Sequence, residues 1–248
     1  MNNLNKNSIS LNKYISETGI CSRREADKLI KNGRVTINDL PTRPGNRVKA
    51  EDIVKIDNIP LKNKPRPVYI AFNKPVGIVS TTDSKEKNNI ISFINYNERL
   101  FPIGRLDKPS EGLIFLTNDG DIVNKILRAG NKHEKEYIVT VNKYITDNFL
   151  KKMSQGIPIL GTVTKKCTVE KINKNTFRII LIQGLNRQIR RMCEFLEYEV
   201  IKLKRVRIMN VKLGKLQTGH WRELNKKELS LIKSMVSNSS KTKEVSLE

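Results

Sequence analysis

The sequence is poor in the residues on which most metal and cofactor chemistry depends. Its 248 residues include only three cysteines, Cys21, Cys167 and Cys193, and two histidines, His133 and His220. Because the cysteines are far apart and odd in number, they predict neither a disulfide framework nor a zinc site. The chain has no GxGxxG and no Walker loop, so nothing points to a nucleotide cofactor. We therefore expect chemistry that needs no metal and no cofactor and that depends on carboxylates, Arg, Lys and Tyr.

Long apolar segments are missing as well. No stretch approaches the ~20 apolar residues that a membrane span requires. The polar start of the chain, residues 1–8, lacks the apolar segment of a signal peptide. These absences predict a cytoplasmic protein.

Positive charge is abundant. The chain has 47 Lys and Arg against 25 Asp and Glu, a formal net charge of +22. An excess of this size predicts a polyanionic partner, with nucleic acid first and an anionic membrane surface second. The membrane alternative is the weaker one, because no long basic amphipathic helix stands out.

The first sixty residues have the pattern of a small unit with two short helices followed by short strands. Ser10 is placed to cap the first helix, and Ser22 and Glu25 have the spacing of a capping box for the second. The segment 22–38 resembles the S4 RNA-binding domain. That resemblance implies RNA contacts by the cations of the second helix, which are Arg23, Arg24, Lys28 and Lys31. Alternatively, these cations only keep a small domain in solution.

The centre of the chain carries one carboxylate in a distinctive setting. Asp107 lies in a polar turn that is followed by the apolar run Leu113–Leu116. Short apolar runs bounded by Gly and Pro predict buried strands. A loop carboxylate on such a rigid scaffold is well placed for chemistry. The pattern also fits a turn-forming Asp whose side chain bonds its own backbone.

The residues around Asp107 favour the first interpretation. Gly104-Arg105-Leu106-Asp107, with Gly112-Leu113 and Leu116-Thr117-Asn118-Asp119-Gly120, resembles the catalytic motif of the pseudouridine synthases. The match is to the branch with an N-terminal S4 domain that modifies ribosomal RNA, the RsuA family. The resemblance implies that Asp107 is the catalytic aspartate. Whether it acts as a nucleophile or as a base stays open.

Two further segments match motifs of this family. Lys135 and Tyr137 share one face of a strand with alternating apolar residues. The resemblance implies that Tyr137 stacks on the target base, whereas a strand aromatic packed in the core is the plainer alternative. Lys135 and Arg105 are expected to bind substrate.

The third motif is a cationic helix start. Three arginines, Arg187, Arg190 and Arg191, lie on the first turns of a predicted helix, where the helix dipole disfavours cations. This placement indicates that an anion is held nearby. The resemblance implies that Arg190 pairs with Asp107 and that Ile189 packs by the target base. An ion pair of this kind would lower the pKa of Asp107. Arg187 and Arg191 are expected to bind substrate.

Several other assignments complete the prediction. Lys74, in a Lys-Pro-x-Gly turn similar to the first family motif, is expected to contact RNA. The basic segment 202–207 predicts an edge strand that contacts phosphates. Segments 163–169 and 177–182 are predicted to pair as strands, His133 to lie on the surface, and Gly130 to end a helix.

The predicted fold class is α+β. A small S4 (α-L) RNA-binding domain at 8–60 and a linker at 61–67 precede a pseudouridine synthase domain at 68–236, and a disordered tail follows at 237–248. The catalytic domain is expected to have a mixed, largely antiparallel sheet with flanking helices. The expected function is to isomerise a uridine in large-subunit ribosomal RNA, as the RluF type of this family does, in a monomer that binds RNA and no membrane. A synthase for transfer RNA or small-subunit RNA, and a non-catalytic S4-type RNA-binding protein, are the alternatives.

Overall fold

The computed structural model describes residues 8–127 and 133–237. The chain divides into two compact units. The first runs to Pro67 and includes Asn97–Arg99, and the second contains Val68–Tyr96 and the chain from Leu100 onward. The predicted tail beyond Ser237 and the predicted helix end at Gly130 lie outside the described residues.

The first unit combines two short helices with small strands. Its core contains seven buried apolar side chains, contributed by both helices and three of the strands. The central strands pair in an antiparallel sheet of order β3-β2-β5-β6. The elements are β1 (Ile9–Ser10), α1 (Leu11–Glu17), α2 (Arg23–Lys31), β2 (Val35–Ile37), β3 (Leu40–Pro41), β4 (Arg47–Val48), β5 (Val54–Ile56) and β6 (Ile59–Pro60).

The predicted capping box at the start of α2 is confirmed. Ser22 Oγ accepts a hydrogen bond from the Glu25 amide at 3.1 Å, and the Glu25 carboxylate accepts one from the Ser22 amide at 2.6 Å. These reciprocal bonds satisfy two amides at the helix start. The prediction for Ser10 is half correct, since Ser10 occupies the cap position of α1 but its side chain makes no capping hydrogen bond.

The second unit is built on one large sheet. The strands are β7 (Tyr69–Lys74), β8 (Phe101–Ile103), β9 (Glu111–Thr117), β10 (Lys135–Val141), β11 (Pro158–Ile159), β12 (Thr162–Val163), β13 (Thr168–Asn173), β14 (Thr176–Leu181), β15 (Val200–Ile208), β16 (Val211–Lys212) and β17 (Trp221–Glu223). The helices are α3 (Ile90–Ile94), α4 (Gly120–Leu127), α5 (Asp147–Gln155), α6 (Gln188–Phe195) and α7 (Lys226–Ser237).

The sheet confirms the predicted α+β class and its mixed, largely antiparallel pairing. Its strand order is β13-β14-β10-β15-β9-β7-β17, with β8 on β9 and β16 on β15. Among the described strands, only β15 and β9 run parallel. Alternate residues of β7 point to opposite faces, where one core packs beneath α3, α5 and α6 and the other beneath α4 and α7. Both faces are therefore covered, which explains the unbroken apolar run of β9.

Two strand predictions need correction. The first of the predicted paired strands begins at Thr168 rather than at residue 163. The earlier residues do not join the ladder, because Thr164 instead exchanges hydrogen bonds with Ile157 through its amide and its hydroxyl.

Within the described residues, no helix has the length and apolar character needed to cross a membrane.

The basic strand β15 is not an edge. It lies between β10 and β9, and three of its cations contact acidic side chains or main-chain carbonyls. Lys202 lies 3.5 Å from Glu111, and Arg207 forms ion pairs with Glu134 and Glu136 at 3.0 and 2.7 Å. The prediction that this segment forms an edge strand was wrong, because alternating charge reveals a polar face but not the position of a strand within its sheet.

Candidate active site

One cleft of about 920 Å³ in the second unit brings together residues from distant parts of the chain. They come from the loop before β9, from β10, from the start of α6 and from β15. Seven of the predicted site residues line this cleft, namely Arg105, Asp107, Lys135, Tyr137, Arg187, Ile189 and Arg190.

The loop that carries Asp107 is held through its main chain. Every carbonyl from Arg105 to Pro109 accepts a hydrogen bond from a different donor. The donors, in chain order of the carbonyls, are Arg205 Nη1 at 3.5 Å, Ser80 Oγ at 2.8 Å, the Ser110 amide at 2.9 Å, the Gly77 amide at 2.8 Å and Arg190 Nη2 at 3.0 Å. The backbone position of Asp107 is thus fixed from several directions.

The Asp107 carboxylate is left without a protein partner. Within the described part of the chain it makes no hydrogen bond and no ion pair shorter than 4.0 Å. The alternative in which this side chain bonds its own backbone is therefore not what the structure contains. A half-buried carboxylate on a fixed loop is available to a ligand.

Arg190 does not form the expected ion pair with Asp107. Its guanidinium donates instead to the carbonyls of Val200 and Pro109, each at 3.0 Å, and to Ser110 Oγ at 3.3 Å. These acceptors engage both terminal nitrogens. Burial and then the charge of Arg187 lower the pKa of Arg190, while Asp107 acts in the opposite direction from beyond contact distance. Arg190 therefore holds the loop and attracts the carboxylate at longer range.

Tyr137 and Ile189 form the apolar part of the cleft. Tyr137 is 9 % exposed and Ile189 is 5 % exposed, and both also belong to the core beneath α6. The two interpretations of Tyr137 are thus compatible, because one face of a ring can pack while another lines a cavity. Burial, and then repulsion by Arg205, lowers the pKa of Lys135 to about 8.

Other predicted residues lie elsewhere. Arg191 is not part of the cleft lining, and its guanidinium bonds the main chain and side chain of Asn186 at 3.1 and 3.3 Å. Arg23, Arg24, Lys28 and Lys31 are exposed along α2. Their predicted RNA contacts stay predictions.

The predicted RNA contact of Lys74 was wrong. Its side chain is 0 % exposed, and Nζ donates to the carbonyls of Pro75 and Ile78, both at 2.8 Å. Burial lowers the pKa of Lys74 to about 8, although the charge of Asp107 raises it in part. Lys74 thus holds the turn and does not face RNA. His133, predicted on the surface, is also buried, at 8 % exposure.

Sequence reasoning missed two residues that shape the site. Ser80 is buried, and its hydroxyl both donates to the Leu106 carbonyl and accepts from the Leu106 amide. Arg205 lines the cleft but was read as one cation of a basic strand. The lone buried Ser gave no signal, whereas the alternation of β15 placed Arg205 on the same face as Leu203 and could have indicated an inward position.

Comparison with known proteins gives matches to both units of the chain. The profile of the family described as RNA pseudouridylate synthase matches residues 68–195, and that of the S4 domain matches residues 10–54. The dual-specificity RNA pseudouridine synthase RluF of Escherichia coli (strain K12) is 59 % identical over 235 residues, which cover 94 % of this chain and 81 % of that protein.

More distant relatives extend the match. The ribosomal large subunit pseudouridine synthase B of Bacillus subtilis (strain 168) is 32 % identical over 234 residues, covering 91 % of this chain and 96 % of that protein. A crystal structure of a pseudouridylate synthase superimposes with a TM-score of 0.66 at 28 % identity, covering 92 % of this chain and 99 % of the other.

Proposed function

The chain belongs to the RNA pseudouridylate synthase family, and we propose that it isomerises a uridine of large-subunit ribosomal RNA. It is an RNA pseudouridine synthase with an N-terminal S4 domain. The choice of RNA is supported by the Bacillus subtilis relative, whose name assigns it to the large ribosomal subunit. A ribosomal substrate also supports a cytoplasmic location.

One observation carries the mechanism. Among the described residues, the Asp107 carboxylate has no hydrogen-bond or ion-pair partner. It lies on a loop whose carbonyls are bonded from Arg105 to Pro109, in the cleft that also contains Tyr137 and Ile189. The reaction breaks the glycosidic N–C bond, turns the uracil and rejoins it through carbon, so all atoms are conserved. Asp107 would attack the sugar carbon or remove a sugar proton, and both roles need its ionised form.

The cleft also fits an extruded base. A base inside a helix cannot reach a recessed carboxylate, so enzymes that act on bases flip them out of the stack. Tyr137 would stack on the uracil and Ile189 would pack on its other side. Arg105, Lys135 and Arg187 line the same cleft and would neutralise neighbouring phosphates. All residues that line the cleft belong to the second unit, and we further propose that the enzyme acts as a monomer.

Mapping pseudouridines tests this proposal. Carbodiimide-dependent primer-extension stops would be compared in total RNA from cells with and without the gene, and from cells complemented with Asp107→Asn. We expect one stop in large-subunit RNA to disappear without the gene and to stay absent with Asp107→Asn. The matched control is Asp83→Asn, an exposed aspartate outside the cleft, which should restore the stop.

Each other result has a defined meaning. A stop lost from transfer RNA or small-subunit RNA would keep the chemistry and overturn the substrate. Restoration of the stop by Asp107→Asn would overturn the catalytic assignment. No lost stop in any RNA, with wild type and Asp107→Asn complementing growth equally, would favour a binding protein.

A further inference from the structure

Arg205 is the most deeply buried charged side chain of the cleft lining. It is 4 % exposed, and within the described residues no carboxylate lies within 4.0 Å of its guanidinium. Removing an unpaired guanidinium from water is costly. A buried arginine without a carboxylate partner therefore indicates a specific structural or functional role for its guanidinium.

The hydrogen bonds of Arg205 identify that task. Its Nε donates to the Leu113 carbonyl at 2.6 Å, and its Nη1 donates to the Arg105 carbonyl at 3.5 Å. One of these carbonyls precedes Asp107 and the other follows it. One planar guanidinium thus connects the two ends of the loop that carries the Asp107 carboxylate. A lysine ammonium cannot reproduce this bridge, because it lacks the fixed, planar arrangement of donors.

The backbone around Arg205 is arranged to permit this bridge. Arg205 lies opposite Gly112 in the parallel pairing of β15 with β9. Gly112 has a φ of +107°, and a Cβ there would lie 2.3 Å from the Arg205 carbonyl oxygen and 2.7 Å from its amide nitrogen. Only glycine therefore lets the two strands approach closely enough for the guanidinium to span the loop.

The same guanidinium also faces the aromatic side of the cleft. Its central carbon lies 5.9 Å from the centre of the Tyr137 ring, within the range of a cation–π contact. Arg205 is therefore in contact with the base-stacking side chain and with both ends of the Asp107 loop.

We propose that Arg205 is a positioning residue for the isomerisation. It fixes the distance between the Asp107 carboxylate and the Tyr137 ring and touches no reacting atom. This inference rests on the proposed function, in which Asp107 is the catalytic residue. Reacting groups must be held near their productive geometry, and a displacement of about 1 Å costs up to ~100-fold in rate.

The test uses the full-length protein and an RNA that carries its target uridine. Steady-state kcat and KM would be measured for Arg205→Lys and for the control Lys204→Met. Lys204 is the neighbouring cation of β15 and does not line the cleft. We expect Arg205→Lys to lose about 100-fold in kcat with KM unchanged, and Lys204→Met to keep its kcat.

Hydrogen exchange separates positioning from a general role in the core. In Arg205→Lys we expect faster exchange of the amides between Leu106 and Leu113, while those of β10 stay protected. Exchange that accelerates throughout the second unit, or a variant that does not fold, would overturn the proposal. A rise in KM that matches the fall in kcat/KM would also overturn it, because Arg205 would then be an ordinary RNA contact.

Asp107→Asn, measured in the same series, distinguishes this inference from its premise. Turnover by Asp107→Asn would contradict the proposed function, in which Asp107 is the catalytic residue. An inactive Asp107→Asn beside an Arg205→Lys with wild-type kcat would leave the function in place and overturn only the role of Arg205.

Discussion

The two units use the same excess of basic residues in opposite ways. On α2 of the first unit the cations Arg23, Arg24, Lys28 and Lys31 are exposed. In the cleft of the second unit, Arg190 and Arg205 are at least half-buried, and each donates to two main-chain carbonyls. Exposed charge can bind phosphates and contributes affinity, whereas buried charge fixes a backbone and contributes geometry.

The difference also changes how the net charge should be interpreted. Several cations of the second unit already have acidic partners, such as Arg207 with Glu134 and Glu136, and Arg222 with Glu228. The formal charge of +22 therefore overstates the positive surface that is open to RNA. Four predictions, from the largest expected effect to the smallest, test the contrast between the units.

A methyl group at Gly112 should damage the second unit severely. The clash with the Arg205 backbone adds to the strain of a positive φ, so Gly112→Ala should lower the free energy of unfolding by about 3 kcal/mol or more. Gly33→Ala in the first unit is the matched control, because Gly33 also has a positive φ but has no atom within 4 Å of its added Cβ. It should cost about 1 kcal/mol. Urea denaturation followed by circular dichroism measures both, and equal losses would contradict the close approach at Gly112.

Removing the charge of α2 should affect affinity and spare chemistry. Replacing Arg23, Arg24, Lys28 and Lys31 together by Gln should weaken RNA binding by about 10- to 100-fold and lower the salt slope of log K by up to ~3. The turnover rate at saturating RNA should stay at the wild-type value. Arg34→Gln is the control, since Arg34 is already paired with Asp57 and its loss should change affinity little. Filter binding at several salt concentrations decides the outcome, and an unchanged slope would count against RNA contact by α2.

The capping box should matter only for local stability. Ser22→Ala removes the hydroxyl that accepts from the Glu25 amide, so it should lower the stability of α2 by about 1 kcal/mol. Hydrogen exchange should rise in α2 and stay unchanged in β9 and β10. Ser10→Ala provides the control, because the Ser10 side chain makes no capping bond. Equal effects of the two substitutions would show that the capping bonds of Ser22 carry little energy.

The smallest effect should be a pH dependence that belongs to the cleft. Burial and repulsion by Arg205 lower the pKa of Lys135 to about 8, so Lys135 is a cation below that pH and neutral above it. RNA affinity should fall about threefold as the pH rises from about 7 to 9, because one phosphate partner is lost. Lys135→Met should remove this pH-dependent fall in affinity. Lys28→Met on α2 should lower RNA affinity at every pH but leave the pH-dependent fall unchanged. A fall that survives in Lys135→Met would have to come from another group.

Local patterns were the part of the structure that the sequence could predict. The capping box at Ser22 and the buried strand through Leu113 depend on neighbouring residues, so periodicity and spacing were sufficient. The convergence of Asp107, Tyr137 and Arg190 in one cleft followed from a resemblance to whole motifs. Each of those motifs brings its own strand or helix with it.

The burial of Lys74 was beyond sequence reasoning, and that of Arg205 was indicated only by the side-chain alternation of β15. Lys74 and Arg205 look like surface cations, because a buried cation differs from an exposed one only in what the rest of the chain wraps around it. The parallel pairing that places Arg205 over Gly112 joins segments far apart in the sequence. The absent contact between Arg190 and Asp107 has the same origin, since Arg190 donates to the carbonyls of Pro109 in the Asp107 loop and of Val200 in β15, which lie far from it in the sequence.

The way in which the Asp107 loop is held also matters for protein engineering. The groups that hold the loop bond its backbone oxygens, while the side chains of Arg105 and Lys108 are exposed and that of Arg105 lines the cleft. Both positions can be randomised in a library without removing any bond that sets the carboxylate. The loop is therefore a scaffold on which substrate preference can be evolved while the reaction centre stays in place.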